Sequence, residues 1–205
     1  MTLDNDPEPV FERMDTLCGE VFHALSRGLQ VADYIHSVAG WNPAADTHLH
    51  RHLTRREAME DLKQLNPELE DDDDLGLPMS GLLFNLPVDT VRVWHTIDAK
   101  IPAPRTEKKR RFIQQESVMK VSLFDDEALG LFETSPRPHR NNMIIQWTAD
   151  GLTITRFDLV RPVDVQGGCV VIDWRLPLLD HYAPVQDVRY RRRDGEEGTG
   201  EEEVQ

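Results

Sequence analysis

The sequence predicts an α+β protein, with an N-terminal antiparallel helical hairpin followed by a mainly antiparallel β-sheet. Three observations predict it. Apolar residues recur at spacings of three and four through the first 65 positions, apolar residues alternate in short runs after residue 80, and no strand–helix alternation follows that would imply a parallel sheet.

The first helix rests on Val10, Phe11, Met14, Leu17, Cys18, Val21, Phe22 and Leu25, which lie along one stripe. Asp6 is placed to cap it, with Pro7 in the first turn. The stripe continues through Leu29, Ala32, Ile35 and Val38 to Gly40, a terminator. Gly28 inside it leaves open one long helix or two collinear ones. Trp41, Asn42 and Pro43 break the pattern. Asp46 or Thr47 then caps a second helix carrying Leu49, Leu53, Met59, Leu62 and Leu65, and the short connection makes the two helices antiparallel neighbours.

The hairpin is expected over residues 1–66 and an acidic linker over 67–80, where the repulsion among Asp71 to Asp74 favours an extended, solvated segment. A calcium loop does not fit, because Leu75 and Leu82 stand where ligand oxygens are needed. The sheet is expected over 81–190. Its strands are predicted at Leu82 to Leu86, Val91 to Thr96, Val118 to Phe124, Met143 to Trp147, Leu152 to Leu159 and Cys169 to Trp174. Asp150-Gly151 is a hairpin signal, and Gly167-Gly168 reads as a turn before a strand. The charged tail over 191–205 has almost no apolar side chain and is expected to be disordered.

Composition narrows the function. The chain has 205 residues and 39% hydrophobic side chains, enough for a sizeable core. No run approaches the ~18 apolar residues of a membrane span, and the acidic N-terminus is unlike a signal peptide, so a cytoplasmic protein is expected. Basic residues number 23 and acidic ones 37, a net charge of −14. The excess is uneven: residues 1–79 carry 6 Lys/Arg against 17 Asp/Glu, whereas residues 80–190 carry 14 of each. A net anion opposes generic nucleic-acid binding at long range and leaves room for docking onto a basic partner. Two cysteines, Cys18 and Cys169, make no disulfide framework and no zinc spacing; both read as small core residues. Core packing is also the default for Trp41, Trp94, Trp147 and Trp174.

Two local constellations carry chemistry. In His48-Leu49-His50-Arg51-His52, His48 and His52 share a helix face four residues apart while His50 points away. With His36 from the preceding helix they form a candidate metal set, His36, His48 and His52, with Asp33 as further ligand or orienting partner. A divalent metal is the one cofactor this pattern suggests. The plainer alternative is a polar helix face, and no HExxH glutamate accompanies it. The second constellation is Arg105, Lys108, Lys109, Arg110 and Arg111, a cationic run suited to phosphates or an acidic protein surface, expected on a loop or sheet edge because Pro102 and Pro104 precede it. Arg137, His139 and Arg140, and Arg189 with Arg191 to Arg193, are further basic clusters. No GxSxG, P-loop or GxGxxG is present.

The leading expectation is a non-catalytic cytoplasmic binding or regulatory protein whose partner is another protein, met through the basic run. The first alternative is a metal-dependent hydrolase built on the histidines, and the second a nucleic-acid-associated protein using the basic loop. Oligomeric state is left open.

Overall fold

A computed structural model describes residues 6–65, 69–71, 82–115 and 141–183. It shows the expected α+β class: a helix pair followed by a mostly antiparallel sheet. Helix α1 runs unbroken over Pro7–Ala39, 33 residues, because Gly28 does not interrupt it, and it ends where Gly40 takes a left-handed conformation at φ 68°. Asp6 is the N-cap residue, although its side chain makes no capping bond. The buried stripe runs from Val10 to Leu29, Ala32 and His36; Val38, expected to extend it, is exposed, as is Trp41 beyond the helix end.

Helix α2 spans Thr47–Leu65. Asp46 caps it by accepting a bond from the Leu49 amide at 3.0 Å. Of the expected apolar stripe Met59 and Leu62 are buried and Leu65 is exposed; the rest of the buried face is His50, Thr54 and Ala58. Gly28 supplies the reason. A Cβ at that position would stand 2.3 Å from the Thr54 carbonyl oxygen, so α1 and α2 cross backbone to backbone there. Such a crossing admits small side chains and turns the bulky Leu49 and Leu53 away.

Strands β1 Leu69–Asp71, β2 Leu82–Asn85, β3 Asp89–His95, β4 Asn141–Asp150, β5 Thr153–Gln166 and β6 Cys169–Pro177 form one sheet in chain order. Strand β1 lies within the stretch expected to be a linker. Four of the five pairings are antiparallel; β3 and β4 run parallel, with Asp89 opposite Asn141. A parallel pair needs a crossover, and helix α3, Glu107–Ile113, lies in it. The β4–β5 hairpin closes through Gly151 at φ 54°, and β5–β6 through Gly167 and Gly168 at φ 57° and 79°, backbone that glycine adopts without strain.

The alternation of the strands gives the sheet two apolar faces. On one, Phe84, Val93, Ile145, Trp147, Phe157 and Leu159 pack with α1 and the inner side of α2. On the other, Leu83, Ile144, Val160 and Val170 meet Ile101 and the α3 residues Phe112 and Ile113. A final short helix, α4 Leu179–Tyr182, folds back on α1, where the Tyr182 hydroxyl donates to Asp15 Oδ1 at 2.6 Å. Among the described residues no helix is long and apolar enough to cross a membrane. The expected strand Val118 to Phe124, the basic clusters around Arg137 and Arg189, and the charged tail lie outside the described residues.

Candidate functional site

Both constellations read from the sequence fall on described residues, and both differ in placement from expectation. Of the basic run, expected on a loop or sheet edge, Arg105 lies in the bend before a helix and Lys108 to Arg111 lie on the helix itself. Residues 107–113 form α3, because Thr106 provides an N-cap, its Oγ1 accepting from the Lys109 amide at 3.4 Å, and because Phe112 and Ile113 find an apolar face to bury against. The helix is fastened at its C-terminal end. Asn142 Nδ2 donates to the Phe112 carbonyl at 2.8 Å, and the Arg92 guanidinium lies 4.8 Å from the centre of the Phe112 ring. Gln115, at φ 61°, is held by three bonds: its Nε2 donates to the Asn142 and Pro162 carbonyls, and its Oε1 accepts from the Asn142 amide. Three bonds offset the strain of that backbone. Outward from this anchor stand Arg105, Arg110 and Arg111, all exposed, with Lys108 and Lys109 half-buried. Arg111 reaches Glu107 one turn back at 3.4 Å, and Arg110 Nε donates to the Pro104 carbonyl at 3.3 Å.

The histidines are distributed differently from the expected metal set. His36 is fully buried at the end of α1, its Nδ1–H donating to the Ala32 carbonyl at 2.9 Å, and the ring facing it 5.3 Å away is His50. His50, expected to point away, points in, because α2 turns its Thr54 face toward Gly28. Burial pulls the His50 pKa down, and His36 adds to the effect, while Asp33 opposes it. His48 and His52 do share a face, with ring centres 5.6 Å apart, but that face is turned from His36. The structure therefore does not assemble His36, His48 and His52, and among the described residues no three His, Cys, Asp or Glu side chains are spaced to hold a metal ion.

Sequence reasoning missed what surrounds His52. Arg55 Nη2 donates to His52 Nδ1 at 3.0 Å, and the cations of Arg51 and Arg55 both act on His95, at the end of β3. The His95 ring stands edge-on to Trp147, centroids 4.7 Å apart. Burial, then the two arginines, bring the His95 pKa down to about 4. Burial also lowers that of Arg55, and that of His52, which feels Arg55 and His48 as well. Among the described residues no carboxylate is paired with Arg51, Arg55 or Arg56. The sequence signal was there to read: Arg51 and Arg55 are four apart, on the side of α2 that also carries His48 and His52.

A third polar group is structural. On the α3 face of the sheet Gln146, fully buried, donates through Nε2 to Thr96 Oγ1 and the Asp98 carbonyl. Arg175 pairs with buried Asp158 and donates to the Ala99 carbonyl at 2.8 Å. These bonds fasten the chain after β3 to the sheet. Nucleophilic chemistry finds no support at Cys18: burial, reinforced by the charge of Asp15, pushes its thiol up to about 12, far from the thiolate. Cys169 sits half-buried beside the β5–β6 turn.

No family model matches the chain, no curated protein matches it, and no solved structure shares detectable similarity with it.

Proposed function

We propose that this is a non-catalytic, cytoplasmic binding or regulatory protein that meets an acidic segment of a partner protein through α3. The observation that carries the reading is the two-sidedness of that helix. Phe112, Ile113 and the Gln115 side chain lock the helix to the sheet, while Arg110 and Arg111 on the helix and Arg105 just before it are exposed. A flexible cationic loop loses conformational entropy on binding, whereas a helix already fixed by its apolar side loses less. Five cations against one carboxylate within residues 105–111 set the sign of the partner, and complementary charge raises the encounter rate. A protein with a net charge of −14 keeps polyanions of indefinite length at a distance, which favours a short acidic protein segment over nucleic acid.

Lys108→Ala, Lys109→Ala, Arg110→Ala and Arg111→Ala combined test the reading. Affinity capture from native cells with and without nuclease is followed by titration of the purified captured protein. The expected result is a nuclease-resistant partner whose affinity for the variant falls at least tenfold and weakens with salt. Identical capture by wild type and variant, or capture abolished by nuclease, overturns the reading.

A further inference from the structure

The face of α2 that carries Arg51 and Arg55 presents a different chemistry from α3. Arg51 and Arg55 stand on one side of that helix within electrostatic reach of His95, yet among the described residues neither has a carboxylate partner. Several partly buried guanidinium groups elsewhere are neutralised by a carboxylate: Arg13 bridges Asp89, Arg156 and Arg175 share Asp158, and Arg161 pairs with Asp173, while buried Arg92 lies over the Phe112 ring. The contrast extends to individual hydrogen-bond donors. Arg55 Nε is buried and has no acceptor, and the Trp147 indole N–H, in the ring against which His95 stacks, has none either. Arg161 Nε is also without an acceptor, but the same guanidinium reaches Asp173 through Nη1. A buried N–H without a partner costs about 1–3 kcal/mol, and a crowd of cations adds repulsion. Arg51 lies near the N-terminal end of α2, where the helix dipole disfavours a cation, so the dipole does not explain the arrangement.

We propose that the face formed by Arg51, Arg55 and His52 of α2 with His95 of β3 is a binding site for the phosphoryl group of a small molecule. Two planar guanidinium groups and an imidazole N–H supply more donors than a monocarboxylate has lone pairs to meet them in one plane. A phosphoryl group offers three oxygens in a tetrahedral array and up to two negative charges. Its arrival neutralises the arginines and gives Arg55 Nε an acceptor. Burial first, and then the two arginine cations, lower the affinity of His95 for a proton. This site is separate from α3, so it stands or falls independently of the partner contact proposed there.

Inorganic phosphate is the probe, with acetate at matched ionic strength as comparison, and the full chain is used throughout. In differential scanning fluorimetry phosphate is expected to raise the melting temperature saturably, while acetate does not. Arg51→Gln with Arg55→Gln is expected to remove the phosphate response; the alanine variant of Lys108 to Arg111 is expected to keep it. Imidazole NMR supplies a readout independent of stability: phosphate is expected to raise the His95 pKa toward its ordinary value in wild type and to leave it unmoved in the double glutamine variant. Circular dichroism without phosphate is expected to show the double variant folded and at least as heat-resistant as wild type. A phosphate response that is linear, shared by acetate or retained in the double variant overturns the proposal, and so does a double variant that has lost its fold.

Discussion

The two ends of the helical hairpin handle charge in opposite ways. At the end where α1 begins, each strong charge that turns inward has a partner. Arg13 bridges the buried Asp89 carboxylate through two nitrogens, both at 3.3 Å, and Asp15 accepts from Tyr182 and pairs with His181. At the end where α1 hands over to α2, Arg51, Arg55, His50, His52 and His95 gather around a few ring contacts, and among the described residues no carboxylate is in salt-bridge reach of the arginines. The first arrangement is how a fold spends charge on its own cohesion. The second leaves a buried guanidinium N–H without an acceptor, the cost that the proposed phosphoryl ligand would offset.

That contrast can be broken at several points, and the crossing that separates the two ends has the largest expected effect. Gly28→Ala pushes a methyl group against the Thr54 carbonyl. The gain in helix propensity, about 1 kcal/mol, is outweighed, and urea unfolding is expected to show a net loss of about 2–3 kcal/mol. An unchanged midpoint would mean that the helices do not meet at this position. Next comes the paired end: Arg13→Ala strands Asp89, which is 1% exposed, and is expected to lose about 2 kcal/mol in the same assay.

The unpaired end is expected to answer to pH. His95 has a folded pKa below its unfolded one, so between pH 6.5 and about 4 the unfolded chain binds the extra proton. Stability is therefore expected to fall as pH drops through that window, by about 1–2 kcal/mol after allowance for solvent screening, and His95→Phe should flatten this part of the profile. A wild-type profile with the same slope as the variant would remove His95 from the account. The smallest effect is expected for Arg55→Gln in phosphate-free buffer, within about 0.5 kcal/mol of wild type, against the clear loss for Arg13→Ala. Comparable losses for the two arginines would erase the distinction between the ends.

Much of the fold was legible. The stripe from Val10 to Leu29 fixed α1, and Gly151, Gly167 and Gly168 marked the two hairpin turns, because these signals are local and depend on one residue's backbone freedom or on a period repeated many times. Helix α3 was not legible as a helix, since seven residues are too few for a period to emerge and its apolar side is only Phe112 and Ile113. The parallel β3–β4 pair was equally hidden, because each strand's alternation is the same whichever way its neighbour runs. Within the candidate sites, the cations were visible but their company was not. Which face of α2 turns inward is decided by Gly28, 26 positions away from Thr54, and that contact sends His50 inward and leaves Arg51 and Arg55 beside His95.

The parallel β3–β4 pair also governs how the chain reaches its native state. The helical hairpin and the β4–β5–β6 meander are joined by short turns and can form early from local contacts. Registering Asp89 against Asn141 instead requires closing a loop on the order of fifty residues. Until it closes, both halves expose the surfaces they later share, and that zippering step is where folding is slowest and self-association most competitive.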